Sequence, residues 1–272
     1  MQRCYIKPEN WHNDSTLEPD ATEQHHLLHV LRLAAGTPVL AFDGEGREAE
    51  TRLRYDDTKQ TAYLEIQHMH AAQKQTGQIA WILVPAIIKG SRMDSLIEKA
   101  TELGATCIMP IQTARSVVRL DTHQAANKVA RWNRIAISAA KQCGTPQLPH
   151  IEPVTNLQHA LQRLQEQNTP ILLGSLQGSP KPIASVGRAY LTKQVPALAV
   201  LTGPEGDFTD AEYTQTAEAG CIPVSLGNLT LRAETATIYA LSVLQALHQE
   251  MQTEDRRRRS EVSGRWRVEG ET

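Results

Sequence analysis

Two short bends near the carboxyl end hold the side chains best placed to do chemistry. Thr202-Gly203-Pro204-Glu205-Gly206-Asp207 is dense in residues that turn a backbone, and it carries the carboxylate of Glu205. Gly227-Asn228-Leu229-Thr230-Leu231-Arg232 is the second, with Glu234 just beyond it. A guanidinium keeps its charge at any working pH, and a carboxylate within reach can accept a proton from a reacting group. Each bend follows an apolar run and leads into a helix. Ala197 to Leu201 reads as a strand before the first bend, and Thr209-Asp210-Ala211-Glu212 is a capping box opening a helix that ends near Gly220. Ile222 to Leu226 reads as the strand before the second, and Ala233 begins a helix to about Gln249. Ala236, Ile238, Tyr239, Leu241, Leu244 and Leu247 spread over more than one stripe of that helix, the pattern of a helix buried on two sides. Glycine bends at the carboxyl ends of neighbouring strands form a ligand crevice in an open α/β sheet.

Those elements sit in a chain of 272 residues and 30.1 kDa, enough for one large or two ordinary domains. After a polar linker at 73–78, strands and helices alternate. The strands are expected at Ile79–Ile87, Thr106–Ile111, Ile151–Val154 and Pro170–Leu176. The helices are expected at Ser91–Leu103, at Ala125–Gln142 with Val129, Trp132, Ile135 and Ala139 on one face, and from a Thr155 cap to Gln165. Alternation of this kind predicts a parallel sheet with helices on both sides over residues 79–250. There is no P-loop, no GxGxxG after the first strand and no nucleophile elbow, so nucleotide hydrolysis, nicotinamide chemistry and serine hydrolysis have no support.

Residues 1–72 read differently. Arg3–Ile6, Pro38–Phe42, Glu48–Tyr55 and Thr61–Ile66 are expected strands, with a hairpin turn at Asp43-Gly44-Glu45-Gly46 and a short helix over Ala21–Leu31. So many strands with tight turns predict a small β-barrel. His25 and His29 share a helix face, but zinc needs at least three ligands and no third is spaced to join them, so no metal is expected. The net charge is -2, yet Arg115, Arg119, Lys128, Arg131, Arg134 and Lys141 face a single acid, Asp121, between residues 114 and 145. Cys4, Cys107, Cys143 and Cys221 are scattered without metal or disulfide spacing, which suits a reducing cytoplasm, and no secretory leader or membrane span is read. Residues 251–272, with Arg256 to Arg259 among Ser, Glu and Gly, are expected to be a disordered basic tail.

LTGPEGDFTDAE (201–212) followed by SLGNLTLRAETATIYAL (225–241) resembles the C-terminal signature of the RsmE family. These are SPOUT-class enzymes that methylate N3 of a uridine in 16S ribosomal RNA. KGSRMDSLIEKATELGATCIMPI (89–111), Thr113-Ala114-Arg115-Ser116 and RWNRIAISAAKQCG (131–144) are similar to further family segments. HHLLHVLR with the later DGEG resembles the family's N-terminal PUA-like domain. The likeness covers residues 1 to about 250. The family more often has an acid where Lys141 stands and a base where Thr145 stands.

The resemblance implies a trefoil-knotted α/β domain that binds S-adenosylmethionine, and a homodimer with the cofactor pocket near its interface. It implies cofactor contacts from Leu201, Thr202, Gly203, Pro204, Glu205, Gly206, Leu226, Gly227, Leu229 and Leu231. Arg232 would stabilise charge on the uracil, and Glu205 or Glu234, or else bulk water or the RNA itself, would accept the proton. Arg3, Arg115, Arg119, Arg131 and Arg134 are the expected contacts to 16S rRNA in the small ribosomal subunit. A SPOUT ribose 2′-O-methyltransferase and a non-catalytic ribosome-assembly RNA binder are the competing readings.

Overall fold

The computed structural model describes residues 1–11, 15–56, 58, 61–70 and 79–268. The expected linker at 73–78 lies outside them. The first strands are β1 (Gln2–Tyr5), β2 (Thr16–Leu17), β3 (Pro38–Phe42), β4 (Glu48–Asp56) and β5 (Thr61–His70), with the helix α1 (Ala21–His25) between β2 and β3. From residue 79 strands and helices alternate: β6 (Ala80–Pro85), α2 (Ser91–Glu102), β7 (Cys107–Ile108), β8 (Ile111–Gln112), α3 (Thr122–Cys143), β9 (His150–Ile151), β10 (Thr155–Asn156), α4 (Leu157–Glu166) and β11 (Ile171–Gly174). Then come β12 (Lys181–Pro182), α5 (Ile183–Thr192), β13 (Ala197–Thr202), α6 (Asp210–Glu218), β14 (Ile222–Ser225) and α7 (Ala233–Val268).

The chain divides into two compact units. Met1–Gln78, Ile97–Cys107 and Asp121–Glu152 make the first, and Ile79–Leu96, Ile108–Leu120 and Pro153–Thr272 the second. Each unit is therefore assembled from more than one stretch of the sequence.

In the first unit five strands pair in the order β1-β3-β4-β5-β2, with β1 parallel to β3 and the other pairs antiparallel. Alternate residues of β3 to β5 turn inward, so Val39, Ala41, Ala49, Leu53, Ala62 and Leu64 share a core with Cys4, Ile6, Leu17 and Leu27. The helix expected over Ala21–Leu31 begins on Asp20, whose Oδ1 accepts from Thr22 N and Glu23 N at 3.0 Å. It changes at His26 into a wider π turn to Val30.

Helix α3 belongs to this unit. Asp121 and Gln124 form its capping box, and Trp132, Ala136, Ala139 and Ala140 are its buried residues, with Val129 and Ile135 only half-buried. Lys141 holds both Glu23 oxygens at 2.6 and 2.7 Å. Their side chains are 17% and 9% exposed, so losing one partner leaves the other charge largely out of water. Lys141→Met should therefore cost roughly 2–3 kcal/mol in chemical denaturation, and adding Glu23→Gln should return most of it.

In the second unit five parallel strands pair in the order β12-β14-β11-β13-β6. The two bend-bearing strands, β13 and β14, are not adjacent as expected. β11 lies between them, paired to both. The strand expected over Thr106–Ile111 is broken into β7 and β8 at Met109-Pro110, since proline offers no N–H to a ladder. The cap of α4 is Asn156 rather than Thr155: its Oδ1 accepts from His159 N at 2.8 Å, while Thr155 pairs with Ile111.

Helix α5 was not anticipated. Its N-cap is Pro182, which makes no side-chain cap bond, and Gly187 sits in its middle. Gly187 is there for packing, because a Cβ would collide with Leu244 Cδ2 of α7. α7 buries Ala240, Leu241 and Leu244 completely. Helix α7 continues to Val268, into the stretch expected as a tail, whose residues 269–272 lie outside the described residues. An existing helix propagates at little cost, and Met251 to Val262 contains neither Gly nor Pro. Among the described residues no helix is long and apolar enough to cross a membrane.

Candidate functional site

Three strand ends converge at the carboxyl edge of the second unit's sheet. The bends after β13 and β14 and the Gly174-Ser175-Leu176 turn after β11 enclose a cavity of about 310 Å³. That lies within the range of small-ligand sites. Thr202, Gly203, Pro204 and Glu205 of the first bend line it, as do Leu226, Gly227, Leu229 and Leu231 of the second. Leu201 does not. It is fully buried within β13, between Val84 of β6 and Leu173 of β11, and serves the core. Gly206 is also off the lining.

The bends depend on their glycines for different reasons. A Cβ on Gly203 would stand 3.0 Å from Phe208 Cε2, and one on Gly206 would stand 3.3 Å from Arg115 Cβ. These two glycines make room for the protein's own side chains. Gly227 has φ 114°, a backbone that side-chain-bearing residues rarely adopt.

Arg232 stands on the cavity wall and is exposed. Among the described residues its guanidinium has no hydrogen-bond or ion-pair partner. The two expected proton acceptors are both drawn toward Arg92, which sequence reasoning missed. Glu205 Oε1 lies 2.6 Å from Arg92 Nη2, and Glu234 Oε2 lies 3.9 Å from Arg92 Nη1. Glu234 does not line the cavity, and its Oε2 is buried without a hydrogen bond. Arg92 is in the first turn of α2, in the Lys89-Gly90-Ser91-Arg92 segment that already carried the family likeness. Lining residues with no prior signal are Gly174, Ser175 and Leu176. Theirs is another glycine turn after an apolar strand, the same local pattern as the two bends.

The arginines expected to meet RNA are placed unequally. Arg3 Nη2 donates to Thr145 O at 3.1 Å and pairs with Glu48 at 2.8 Å, and its guanidinium lies 4.7 Å from the Phe42 ring centroid. It is a brace inside the first unit. Arg115 Nη1 donates to the carbonyl oxygens of Gly206 and Phe208 at 3.1 and 3.2 Å, which clamps the first bend. Arg119 Nη2 donates to Ala114 O at 2.6 Å, and Ala114 N donates to Glu212 Oε1 at 2.7 Å. Glu212 thus completes the capping box of α6 and anchors the 113–119 loop at once. Arg131 and Arg134 are exposed on α3. Among the described residues no cluster of three His, Cys, Asp or Glu side chains is arranged for a metal ion.

Comparison with known proteins agrees with this geometry. Residues 74–245 match an RNA methyltransferase domain family, and residues 19–67 match an RNA methyltransferase PUA domain family. Ribosomal RNA small subunit methyltransferase E of Bacillus subtilis is 30% identical over 249 residues, 90% of this chain and 96% of that protein. The crystal structure of a ribosomal RNA small subunit methyltransferase E from Neisseria gonorrhoeae bound to S-adenosyl methionine is 32% identical. It superposes with a TM-score of 0.78 over 91% of this chain and 98% of that one. A putative methyltransferase from Legionella pneumophila in complex with the same cofactor is 31% identical, with a TM-score of 0.77 over 90% of this chain and 97% of that one. A chain with a PUA domain, an RNA methyltransferase domain and this cavity belongs to the ribosomal RNA small subunit methyltransferase E family.

Proposed function

We propose that the protein is an S-adenosylmethionine-dependent methyltransferase acting on N3 of a uridine in the 16S rRNA of the small ribosomal subunit. The observation that carries the reading is the cavity where three strand ends meet, with Arg232 on its wall. The residues present fit the cofactor. Thr202 to Glu205 and Leu226 to Leu231 offer backbone N–H and C=O groups to an adenine edge and a ribose, and Leu226, Leu229 and Leu231 supply apolar wall. When bound, S-adenosylmethionine supplies the electrophilic methyl group.

The protein's share of the chemistry follows from uracil. N3 carries a proton at neutral pH and is a poor nucleophile until that proton leaves. As it does, negative charge spreads onto O2 and O4. Arg232 is placed to stabilise that charge, and the cavity walls hold the base in line. The base must leave its stack to enter, as for other enzymes that act on nucleobases. Glu205, held by Arg92, anchors the first bend more readily than it accepts a proton, so water or the RNA is the better acceptor. The exposed Arg131 and Arg134, with the PUA domain, supply RNA affinity through phosphate contacts. The same reading includes the trefoil knot, a homodimer and a cytoplasmic location.

The test is incubation of unmodified small ribosomal subunits with labelled cofactor, followed by nucleoside analysis and mapping. Label in 3-methyluridine at one position is expected. Label in a 2′-O-methyl nucleoside would overturn the assignment of the target atom, and no label would overturn the enzymatic reading.

A further inference from the structure

The cavity has a second carboxylate on its wall, Asp207, to which neither the bend nor the family likeness assigned a role. Its backbone has φ 59°, in the left-handed region that favours glycine. Arg32, Asn168 and Gln194 share that conformation among non-glycine residues, but Asp207 alone of these lines the cavity. Its N–H closes the bend on Pro204 O at 3.0 Å. Its carboxylate lies back across the bend, with Oδ1 3.6 Å from where a Cβ on Gly203 would stand. The Tyr213 hydroxyl donates to it, 2.9 Å from Oδ1 and 3.1 Å from Oδ2. Burial, and then the hydrogen bond to this carboxylate, push the Tyr213 pKa up, so the hydroxyl keeps its proton and remains a donor.

The electrostatics separate Asp207 from its neighbour. Glu205 is neutralised by Arg92 at 2.6 Å. Asp207 has no ion pair among the described residues, and one neutral hydroxyl leaves most of its four lone-pair sites open. We infer that Asp207 is a cofactor-binding residue that accepts hydrogen bonds from the ribose cis-diol of the S-adenosyl ligand. The inference rests on the cofactor reading of this cavity. Of the ligand's groups, the diol suits the site best. A carboxylate against the sulfonium would stabilise a positive charge that methyl transfer removes, which lowers reactivity. A carboxylate bridging two vicinal hydroxyls changes no charge during the reaction. Tyr213 is then a positioning residue that fixes the carboxylate plane.

Isothermal titration with S-adenosylhomocysteine, with 5′-methylthioadenosine and with the 2′-deoxy and 3′-deoxy forms of the latter tests this. Asp207→Gly suits the experiment, because glycine adopts the observed φ without strain, and Tyr213→Phe, which removes the same anchoring bond but keeps the carboxylate, separates loss of the anchor from loss of the acceptor. Wild type should lose on the order of tenfold in affinity for each deoxy compound. Asp207→Gly should bind both parent compounds ten- to a hundredfold more weakly and show no further loss with the deoxy forms. Asp207→Asn should fall between, and Tyr213→Phe should weaken binding a few-fold. Wild-type affinity in Asp207→Gly would overturn the inference. So would a loss confined to S-adenosylhomocysteine, which carries the ammonium that 5′-methylthioadenosine lacks. Failure of the wild type to bind either parent compound would instead end the cofactor reading, and this inference with it.

Discussion

Arg232→Ala should lower turnover on unmodified small ribosomal subunits about a hundredfold, the usual loss when one charge-stabilising donor is removed. Affinity for S-adenosylhomocysteine should stay within about twofold, and the thermal midpoint should not move, since exposed side chains outside networks contribute little to stability. The geometry supports each part. Arg232 stands on the cavity wall, is exposed, and has no partner among the described residues. Among the described residues no hydrogen bond or ion pair of its guanidinium is therefore lost when it is truncated. Two roles are open to such a guanidinium, and the kinetics separate them. If it stabilises charge developing on the uracil, kcat and kcat/KM fall together and KM holds. If it grips a phosphate, KM for the RNA rises while kcat is retained. Arg232→Lys should recover only part of the rate, because an ammonium restores the charge without the planar fork. Normal turnover in Arg232→Ala would remove the arginine from the chemistry.

Much of the fold and of this site is written in local sequence signals. The capping box at Thr209 and Glu212, the glycine bends and the strand Pro38–Phe42 each rest on neighbours in the chain, and each is found where local chemistry puts it. What was illegible depends on spatial order. The bends read as belonging to adjacent strands, but β11 separates them, so a third wall at Gly174 to Leu176 escaped notice. Arg92 reaches Glu205 across 113 residues, and no periodicity announces such a pair. Helix α5 lacks a side-chain cap and carries Gly187, so it looks like a loop until Leu244 explains the glycine. The charge of Arg3, Arg115 and Arg119 is visible in sequence, while the carbonyl oxygens that engage it are visible only in the fold. Asp207 likewise passed as one more turn residue, because its φ and its bond to Tyr213 exist only in the fold.

Gly203→Val should abolish measurable cofactor binding, a loss of more than about a hundredfold, by a route that runs through the protein rather than through the ligand. The Cβ would stand 3.0 and 3.2 Å from Phe208 Cε2 and Cδ2. Phe208 is 1% exposed, and its ring meets Tyr213 edge-on at 5.7 Å, so a large displacement must push on its neighbours. Two further methyl groups force it to move, and overpacking of this kind costs roughly 1–3 kcal/mol. The displacement passes to both ends of the bend. Arg115 holds Phe208 O from one side, and Tyr213 holds Asp207 from the other. A bend shifted at both anchors cannot keep its backbone groups aimed into the cavity. Gly203→Ala adds only the Cβ, which Phe208 can accommodate by moving a few tenths of an ångström, so its loss should be about tenfold. The graded series is the check, read by titration with S-adenosylhomocysteine alongside circular dichroism to confirm that the fold persists. Near-native affinity in a folded Gly203→Val would mean that this bend does not wall the cofactor site.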